Sequence, residues 1–141
     1  LGLEPWDNNL NTKYLKEKYK NKKLPIKTVL LDQKIIVGIG NIYADEILFL
    51  GRINPLKQAF KLNEKELQLI IDNTKNVLEK AIKLGGTTIR SYESSEGVHG
   101  RFQNELLVHN KEICPKCNKK ITKIRIGGRG TYYCENCQKD I

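Results

Sequence analysis

Four cysteines near the end of the chain have the spacing of a metal site. They form two Cys-x-x-Cys pairs separated by sixteen residues, and they are all the cysteines of the sequence: Cys114, Cys117, Cys134 and Cys137. Each pair can place two thiolates on one metal, and four thiolates match the tetrahedral coordination of Zn²⁺. Because four thiolates leave no open position, the sequence predicts one structural Zn²⁺ and no catalytic metal.

Two disulfide bonds are the alternative use of these cysteines. Disulfides persist mainly in exported proteins, whereas the start of the sequence, LGLEPWDNN, lacks the basic flank and apolar core of a signal peptide. No apolar run reaches the ~20 residues that are needed to cross a bilayer. We therefore expect zinc rather than disulfides, in a cytoplasmic protein with no membrane partner.

The net charge indicates the kind of partner. Lys and Arg number 25 and Asp and Glu number 16, which gives a formal charge of +9 at pH 7. This balance favours a polyanion, although a soluble basic surface without a partner is the simpler explanation. Lysine predominates, and lysine neutralises phosphate as a point charge without reading base edges well. The composition therefore favours contacts with a nucleic-acid backbone over sequence-specific recognition.

A candidate phosphate site lies at the start of a predicted helix. Residues 37–41 read VGIGN, and an apolar helical pattern follows from Ile42. Glycine permits positive φ and a close approach of the backbone to a partner, and Asn41 stands where an N-cap is expected. Free backbone N–H groups at a helix start attract phosphate. From this stretch alone, an ordinary helical hairpin with a tight turn explains the residues equally well.

Helical patterns lie on either side of this turn. Pro25 opens a short helix that is predicted to reach about Gln33. Asn63 and Glu66 form a capping-box signature. An apolar stripe with steps of three and four residues then continues to about Leu84 and predicts a long core helix.

The most basic segment precedes the turn. Residues 13–27 contain seven lysines against the single carboxylate of Glu17. A charge run of this kind is usually a solvated face, so we treat it as supporting evidence only. The only tryptophan, Trp6, is predicted to pack against the core.

Between the two cysteine pairs, the sequence predicts a β-hairpin. Alternating residues from Ile121 to Ile126 lead into GGRG at residues 127–130 and then TYY. An arginine on a glycine turn suggests that Arg129 binds phosphate, and a solvent-exposed turn arginine is the simpler alternative. Some ~28 residues cannot hold a core of their own, so zinc would supply the folding energy.

A long polar loop is predicted at residues 87–103, which read TTIRSYESSEGVHGRFQ. Loops of this length inside a domain are usually functional or mobile. His99 lies in this loop and His109 follows it, and neither has a partner at metal-ligand spacing. We interpret both histidines as structural or incidental.

Taken together, these motifs resemble the C-terminal half of the formamidopyrimidine-DNA glycosylase family. The agreement rests on LLDQKIIVGIGNIYADEILF, GGTTIRSY, GRFQ and the ending CPKC…GGRGTYYCENCQ, in this order. The resemblance implies a mainly α fold, in which a helical domain with a helix–two-turn–helix motif precedes a β-hairpin zinc finger. It divides the chain into an interdomain linker at 1–9, a DNA-binding domain at 10–112 and a zinc finger at 113–141.

The resemblance also implies functional residues. Asn41 and Arg129 match family residues that contact DNA phosphates, and Lys123 matches a further basic contact on the hairpin. The cysteines match the ligands of the single structural zinc ion. The loop that closes over an extruded damaged base is matched by Ile89, Arg90, Ser91 and Tyr92, and base flipping explains why such a loop is long.

Two departures from the family's pattern stand close to the zinc finger. Asn118 occupies a position where glycine is frequent, and His109 with Asn110 replaces an aromatic–glycine pair. Because asparagine tolerates left-handed backbone conformations, we expect the fold to accommodate both.

The implied activity is base-excision repair of double-stranded DNA that contains a damaged base or an abasic site. The family excises oxidised purines, such as 8-oxoguanine and formamidopyrimidines, and then cleaves the strand. Its nucleophile is an N-terminal proline amine followed by a glutamate on a preceding domain, whereas Pro5 is internal here and Glu4 precedes it. We therefore expect a monomer that binds DNA without excising bases. The alternatives are a stand-alone nucleic-acid-binding module and an endonuclease VIII-type glycosylase for oxidised pyrimidines.

Overall fold

The computed structural model describes residues 1–84 and 104–139. Within these residues, four α-helices precede a two-stranded antiparallel hairpin, which confirms the predicted mainly α fold. The predicted base-closing residues Ile89, Arg90, Ser91 and Tyr92 lie outside the described residues. The elements are α1 (Thr12–Tyr19), α2 (Ile26–Leu30), α3 (Asn41–Leu50), α4 (Glu64–Lys83), β1 (Thr122–Ile126) and β2 (Arg129–Tyr133), with a 3₁₀ turn at Ala59–Lys61.

The longest element, α4, begins at the predicted capping box. The Asn63 side chain accepts from the Glu66 backbone N–H at 2.8 Å, and the Glu66 carboxylate accepts from the Asn63 N–H at 2.9 Å. One face of the helix is apolar and packs against α1 and α3. The residues buried on that face include Leu67, Ile70, Ile71, Val77, Leu78 and Ala81.

The helix α2 is shorter than predicted, because side chains of the following turn compete for the backbone. It ends at Leu30 rather than near Gln33, and residues 31–40 form turns. The Asp32 carboxylate accepts from the Lys34 N–H at 2.9 Å. The Gln33 side chain accepts from the Gly38 N–H at 2.7 Å and donates to the Ile39 carbonyl at 3.2 Å. Such local bonds replace helical ones.

In the turn before α3, Gly38 adopts the positive φ that was predicted. The turn also contacts the first residues of the chain. Gly38 has φ +92°, a conformation that L side chains rarely adopt. Leu3, within the predicted linker, forms a parallel bridge with Ile36 beside this turn. Trp6 is 47% exposed, so its predicted packing in the core is wrong.

The helix α3 joins two apolar clusters. Ala44, Ile47 and Leu48 lie in the main core with α4. Phe49 instead packs on the zinc module, which we define as residues 113–139. It completes a small second cluster that contains Val108, Cys114, Ile121, Cys134 and Cys137.

The hairpin turn has the geometry that its two glycines favour. Gly127 and Gly128 both have positive φ, at +55° and +77°, as a two-residue type I′ turn requires. Arg129 lies one residue beyond the turn, where it begins β2 and pairs with Ile126. Asn110 and Asn118 have φ of +59° and +64°, so asparagine adopts the left-handed conformation expected at both departures.

Candidate nucleic-acid interface and zinc site

The four predicted ligands converge on one point. Their Sγ atoms all lie within 4.8 Å of one another. The pairs Cys114–Cys137 and Cys117–Cys134 have Sγ–Sγ distances of 3.8 and 3.5 Å, which are too long for the ~2 Å bond of a disulfide. Four thiolates at this separation fit one tetrahedral Zn²⁺. The residues therefore suit the predicted structural ion, and the disulfide alternative is wrong.

The surroundings of the thiols shift the pKa values of Cys117 and Cys137 in opposite directions. A hydrogen bond from the backbone of Lys119 lowers the pKa of Cys117 to about 6. Burial raises the pKa of Cys137 to about 12. Because zinc binds only thiolates, loading the site releases protons, and its zinc affinity falls as the pH is lowered.

The predicted phosphate residue Asn41 lies at the start of α3, but not as its cap. Gly40 takes the N-cap position with extended backbone, and Asn41 is the first helical residue, so the predicted N-cap role is wrong. The physical reason is that the side chain points to the hairpin, where its Nδ2 donates to the Gly130 carbonyl at 3.1 Å. Within residues 1–84 and 104–139 no side chain caps α3, and its first turn carries no acid. A helix start of this kind, with its N–H groups and the positive end of the helix dipole, attracts anions.

The second predicted phosphate residue, Arg129, is brought beside this helix start. It precedes Gly130, whose carbonyl accepts from Asn41. Arg129 is exposed, and within the described residues its guanidinium makes no ion pair. The backbone of Arg129 thus lies beside the start of α3, although 87 residues lie between Asn41 and Arg129 in the sequence.

Lys123 lies on the other face of the hairpin. The register pairs Lys123 with Tyr132, and Ile126 with Arg129. Directly opposed residues of an antiparallel pair share a face, and successive positions alternate. The Lys123 ammonium lies 5.3 Å from the centre of the Tyr132 ring. Its side chain passes Gly130, where an added Cβ would lie 3.7 Å from the Lys123 Cε, and its predicted phosphate contact stays a prediction.

A buried ion pair joins the helical domain to the zinc module. The Lys27 Nζ lies 2.6 Å from the Asp45 Oδ1, and both side chains are fully buried. Lys27 also donates to the Thr131 hydroxyl at 2.9 Å. Burial lowers the pKa of Lys27, and the charge of Asp45 opposes that shift. Lys27 is therefore not part of the solvated lysine face that was predicted for residues 13–27.

The other carboxylate oxygen of Asp45 serves the zinc module as well. Asp45 Oδ2 accepts from the Tyr132 N–H at 3.2 Å and lies 2.7 Å from His109 Nδ1. The His109 ring meets the Tyr132 ring edge-on, with centroids 4.9 Å apart. His109 thus has the structural role that its sequence context predicted. His99 lies outside the described residues.

The next residue of α3, Glu46, holds the chain that leads into the zinc module. Its buried carboxylate accepts from the backbone N–H groups of Leu107, Val108 and His109 at 2.7, 2.9 and 2.8 Å. Sequence reasoning missed both carboxylates as positioning groups. A signal was available, because two acids inside the apolar stretch IYADEILFL require buried partners.

Family models match both parts of the chain. The model described as "Formamidopyrimidine-DNA glycosylase H2TH domain" matches residues 1–93. The model described as "Zinc finger found in FPG and IleRS" matches residues 111–139. In the part of the chain that the structure describes, no helix combines the length and apolar character needed to span a membrane.

Curated and structural relatives agree with these matches. Formamidopyrimidine-DNA glycosylase of Oceanobacillus iheyensis is 46% identical over 140 residues, which cover 98% of this chain and 50% of that protein. The Lactococcus lactis Fpg bound to DNA with an abasic site is 42% identical, with a TM-score of 0.86 over 99% of this chain and 52% of that one. Its complex with FAPY-dG-containing DNA is 40% identical at the same TM-score, over 99% and 51%. The chain spans about half the length of the relatives it matches.

Proposed function

The chain belongs to the formamidopyrimidine-DNA glycosylase family, and from this premise we propose that it is the DNA-binding half of a bifunctional glycosylase and abasic-site lyase acting on oxidised purines. The relatives named as formamidopyrimidine-DNA glycosylase are about twice as long as this chain. The stand-alone module and the endonuclease VIII-type enzyme are not favoured, because the relatives named as formamidopyrimidine-DNA glycosylase match nearly the whole chain.

The observation that carries the DNA-binding role is the hydrogen bond from Asn41 Nδ2 to the Gly130 carbonyl, at 3.1 Å. It sets the first turn of α3 beside the backbone of Arg129, so a helix start and an arginine, two groups that bind phosphate well, are neighbours. Two adjacent contacts of this kind suit successive phosphates of one strand. In this proposal they hold the backbone of a strand from which a damaged nucleotide is extruded.

The division of labour within the whole protein follows from the residues. Pro5 is internal, so its nitrogen is an amide and not the secondary amine that a Schiff-base lyase needs. This chain then binds DNA without excising bases, and the preceding half supplies the nucleophile and the carboxylate. Residues 10–112 form the DNA-binding domain, in which Ile89, Arg90, Ser91 and Tyr92 close over the extruded base. The zinc finger spans 113–141.

The setting of the protein is part of the same proposal. It acts as a monomer on double-stranded DNA that carries a damaged base or an abasic site. It is located in the bacterial cytoplasm, where that DNA lies. Lys123 adds a further phosphate contact from the other face of the hairpin.

Arg129→Ala is expected to weaken binding of this chain to an abasic-site duplex, because it removes one cationic phosphate contact. The slope of log K against log salt concentration should become shallower by about 0.9. Fluorescence anisotropy with a labelled duplex, repeated over a series of salt concentrations, measures both the affinity and the slope.

Lys120→Ala is the matched control, since it removes one exposed positive charge from the zinc module near the cysteines. It should leave the slope nearly unchanged. Equal effects of the two substitutions would show that Arg129 contributes only its charge and makes no specific phosphate contact. Failure of the unsubstituted chain to bind the duplex at low salt would contradict the proposed function itself.

A further inference from the structure

We propose that Asp45 is a positioning residue for DNA binding, which acts through Lys27 to place Arg129 beside the start of α3. The proposal rests on the proposed function. It assigns a DNA-binding role to an acid that faces the interior of the protein and not the duplex, in a chain whose net charge is +9.

The first step is the position of Asp45 on α3. Asn41 and Asp45 are four residues apart in this helix and therefore lie on one face, a single turn from each other. That face meets β2, where Asn41 bonds to Gly130 and Asp45 accepts from the Tyr132 N–H. A single helix face thus carries the predicted phosphate residue and the anchor of the hairpin.

The second step is the path from Asp45 to Arg129. The Asp45 carboxylate holds the Lys27 ammonium at 2.6 Å, and this ammonium donates to the Thr131 hydroxyl at 2.9 Å. The Thr131 hydroxyl in turn donates to the carbonyl of Arg129 at 3.1 Å. Every bond in this path joins neighbouring groups with no water required between them. Its end is the backbone of the residue that is proposed to bind phosphate.

The third step concerns the contact between α3 and the zinc module, to which the Lys27–Asp45 pair adds a fixed direction that apolar packing lacks. Phe49 and the cysteines provide contact between α3 and the zinc module, but such contact has no direction. Charged hydrogen bonds are directional, and in some proteins a buried ion pair serves a specific geometry rather than stability. The side chains of Lys27 and Asp45 are both 0% exposed, so their geometry is not averaged by solvent.

A charge effect and a positioning effect of Asp45 predict opposite changes in DNA affinity when Asp45 is replaced with asparagine. If only net charge mattered, Asp45→Asn would tighten binding to DNA, since it removes a negative charge from a basic protein. If Asp45 positions Arg129, the substitution weakens binding to an abasic-site duplex by about tenfold, the equivalent of one charged hydrogen bond. The salt slope then falls by about 0.9, as though the Arg129 contact itself were lost.

The experiment is a double-substitution cycle with Asp45→Asn and Arg129→Ala on the zinc-loaded chain. Positioning predicts that the double variant binds no more weakly than Arg129→Ala alone, because both substitutions remove the same contact. Asp72→Asn is the control of equal charge, on the exposed face of α4, and should not weaken binding. Additive effects, or tighter binding by Asp45→Asn, would overturn the proposal.

Thr131→Val keeps the proposal testable if Asp45→Asn does not fold. It leaves the ion pair in place and removes only the hydroxyl that links Lys27 to the carbonyl of Arg129. Weaker binding with a shallower salt slope is expected, and an unchanged slope would overturn the positioning role. Loss of binding by Arg129→Ala but not by these variants would refute this inference alone. No effect of Arg129→Ala, in a chain that binds the duplex, would refute this inference as well, whereas failure of the unsubstituted chain to bind would refute the proposed function.

Discussion

Replacing Cys114 with serine is expected to remove zinc and unfold the hairpin, with most of the helical signal retained. The small apolar cluster of the zinc module is built from three of the four cysteines with Phe49, Val108 and Ile121. A module of this size depends on its metal, and structural zinc contributes about 10–16 kcal/mol in isolated fingers at neutral pH. The metal content per chain and the far-UV circular dichroism spectrum measure the two outcomes.

The packing of α3 on the zinc module extends this expectation to the helical domain. Without the hairpin, the cluster that contains Phe49 loses its packing against Tyr132. The Lys27–Asp45 pair loses its hydrogen bonds to Thr131 and to the Tyr132 N–H. The helices should therefore unfold at a lower temperature than in the zinc-loaded chain. Lys116→Ser, an exposed change between two ligands, is the control and should keep one zinc ion. A hairpin that survives zinc removal would contradict the structural role of the metal.

Lys27→Met is expected to destabilise the zinc-loaded chain by about 3–5 kcal/mol, the cost of leaving a buried charge without its partner. Methionine resembles the lysine stem in length, so the main change is loss of the ammonium that lies 2.6 Å from Asp45. Urea unfolding followed by circular dichroism measures the change in the free energy of unfolding.

Two further variants separate the charge from the packing. Adding Asp45→Asn to Lys27→Met removes the stranded carboxylate and keeps an oxygen that can accept from the Tyr132 N–H, so part of the stability should return. Lys20→Met breaks the exposed pair with Glu17, where the two side chains are 2.8 Å apart, and should change little. A similar loss for Lys20→Met and Lys27→Met would disprove a special role for the buried pair.

Features that depend on neighbouring residues could be predicted from the sequence. The spacing of the cysteines indicated one zinc site, because each pair places two thiolates within a single turn. Gly127 and Gly128 predicted a tight hairpin turn, and Asn63 with Glu66 predicted the capping box that begins α4. These are short-range effects, in which backbone conformation and adjacent side chains decide the outcome.

Features that depend on distant partners could not be predicted in this way. Lys27 looked like one of seven solvated lysines, and only Asp45 and Thr131, which reach it across the fold, make it a buried ion. Asn41 looked like a helix cap when only its neighbours in the sequence were considered. Its actual bond is to Gly130, in a distant part of the sequence. Trp6 is exposed although large aromatic residues are usually buried.

The net charge could not locate the proposed DNA-binding surface either. The exposed lysines of residues 13–23 form the most basic segment of the sequence, yet the groups proposed to bind phosphate lie at the start of α3 and on the hairpin. The distinction matters because diffuse lysines attract any polyanion, whereas a free helix start beside an arginine fixes the position of a strand.

The most direct test maps the contacts of an abasic-site duplex by amide chemical shifts of the zinc-loaded chain. The largest chemical-shift changes are expected at the amides of Asn41, Ile42, Arg129 and Gly130, and these changes should disappear as the salt concentration rises. Changes concentrated in residues 13–23, with the start of α3 and the hairpin unaffected, would contradict the proposed phosphate contacts.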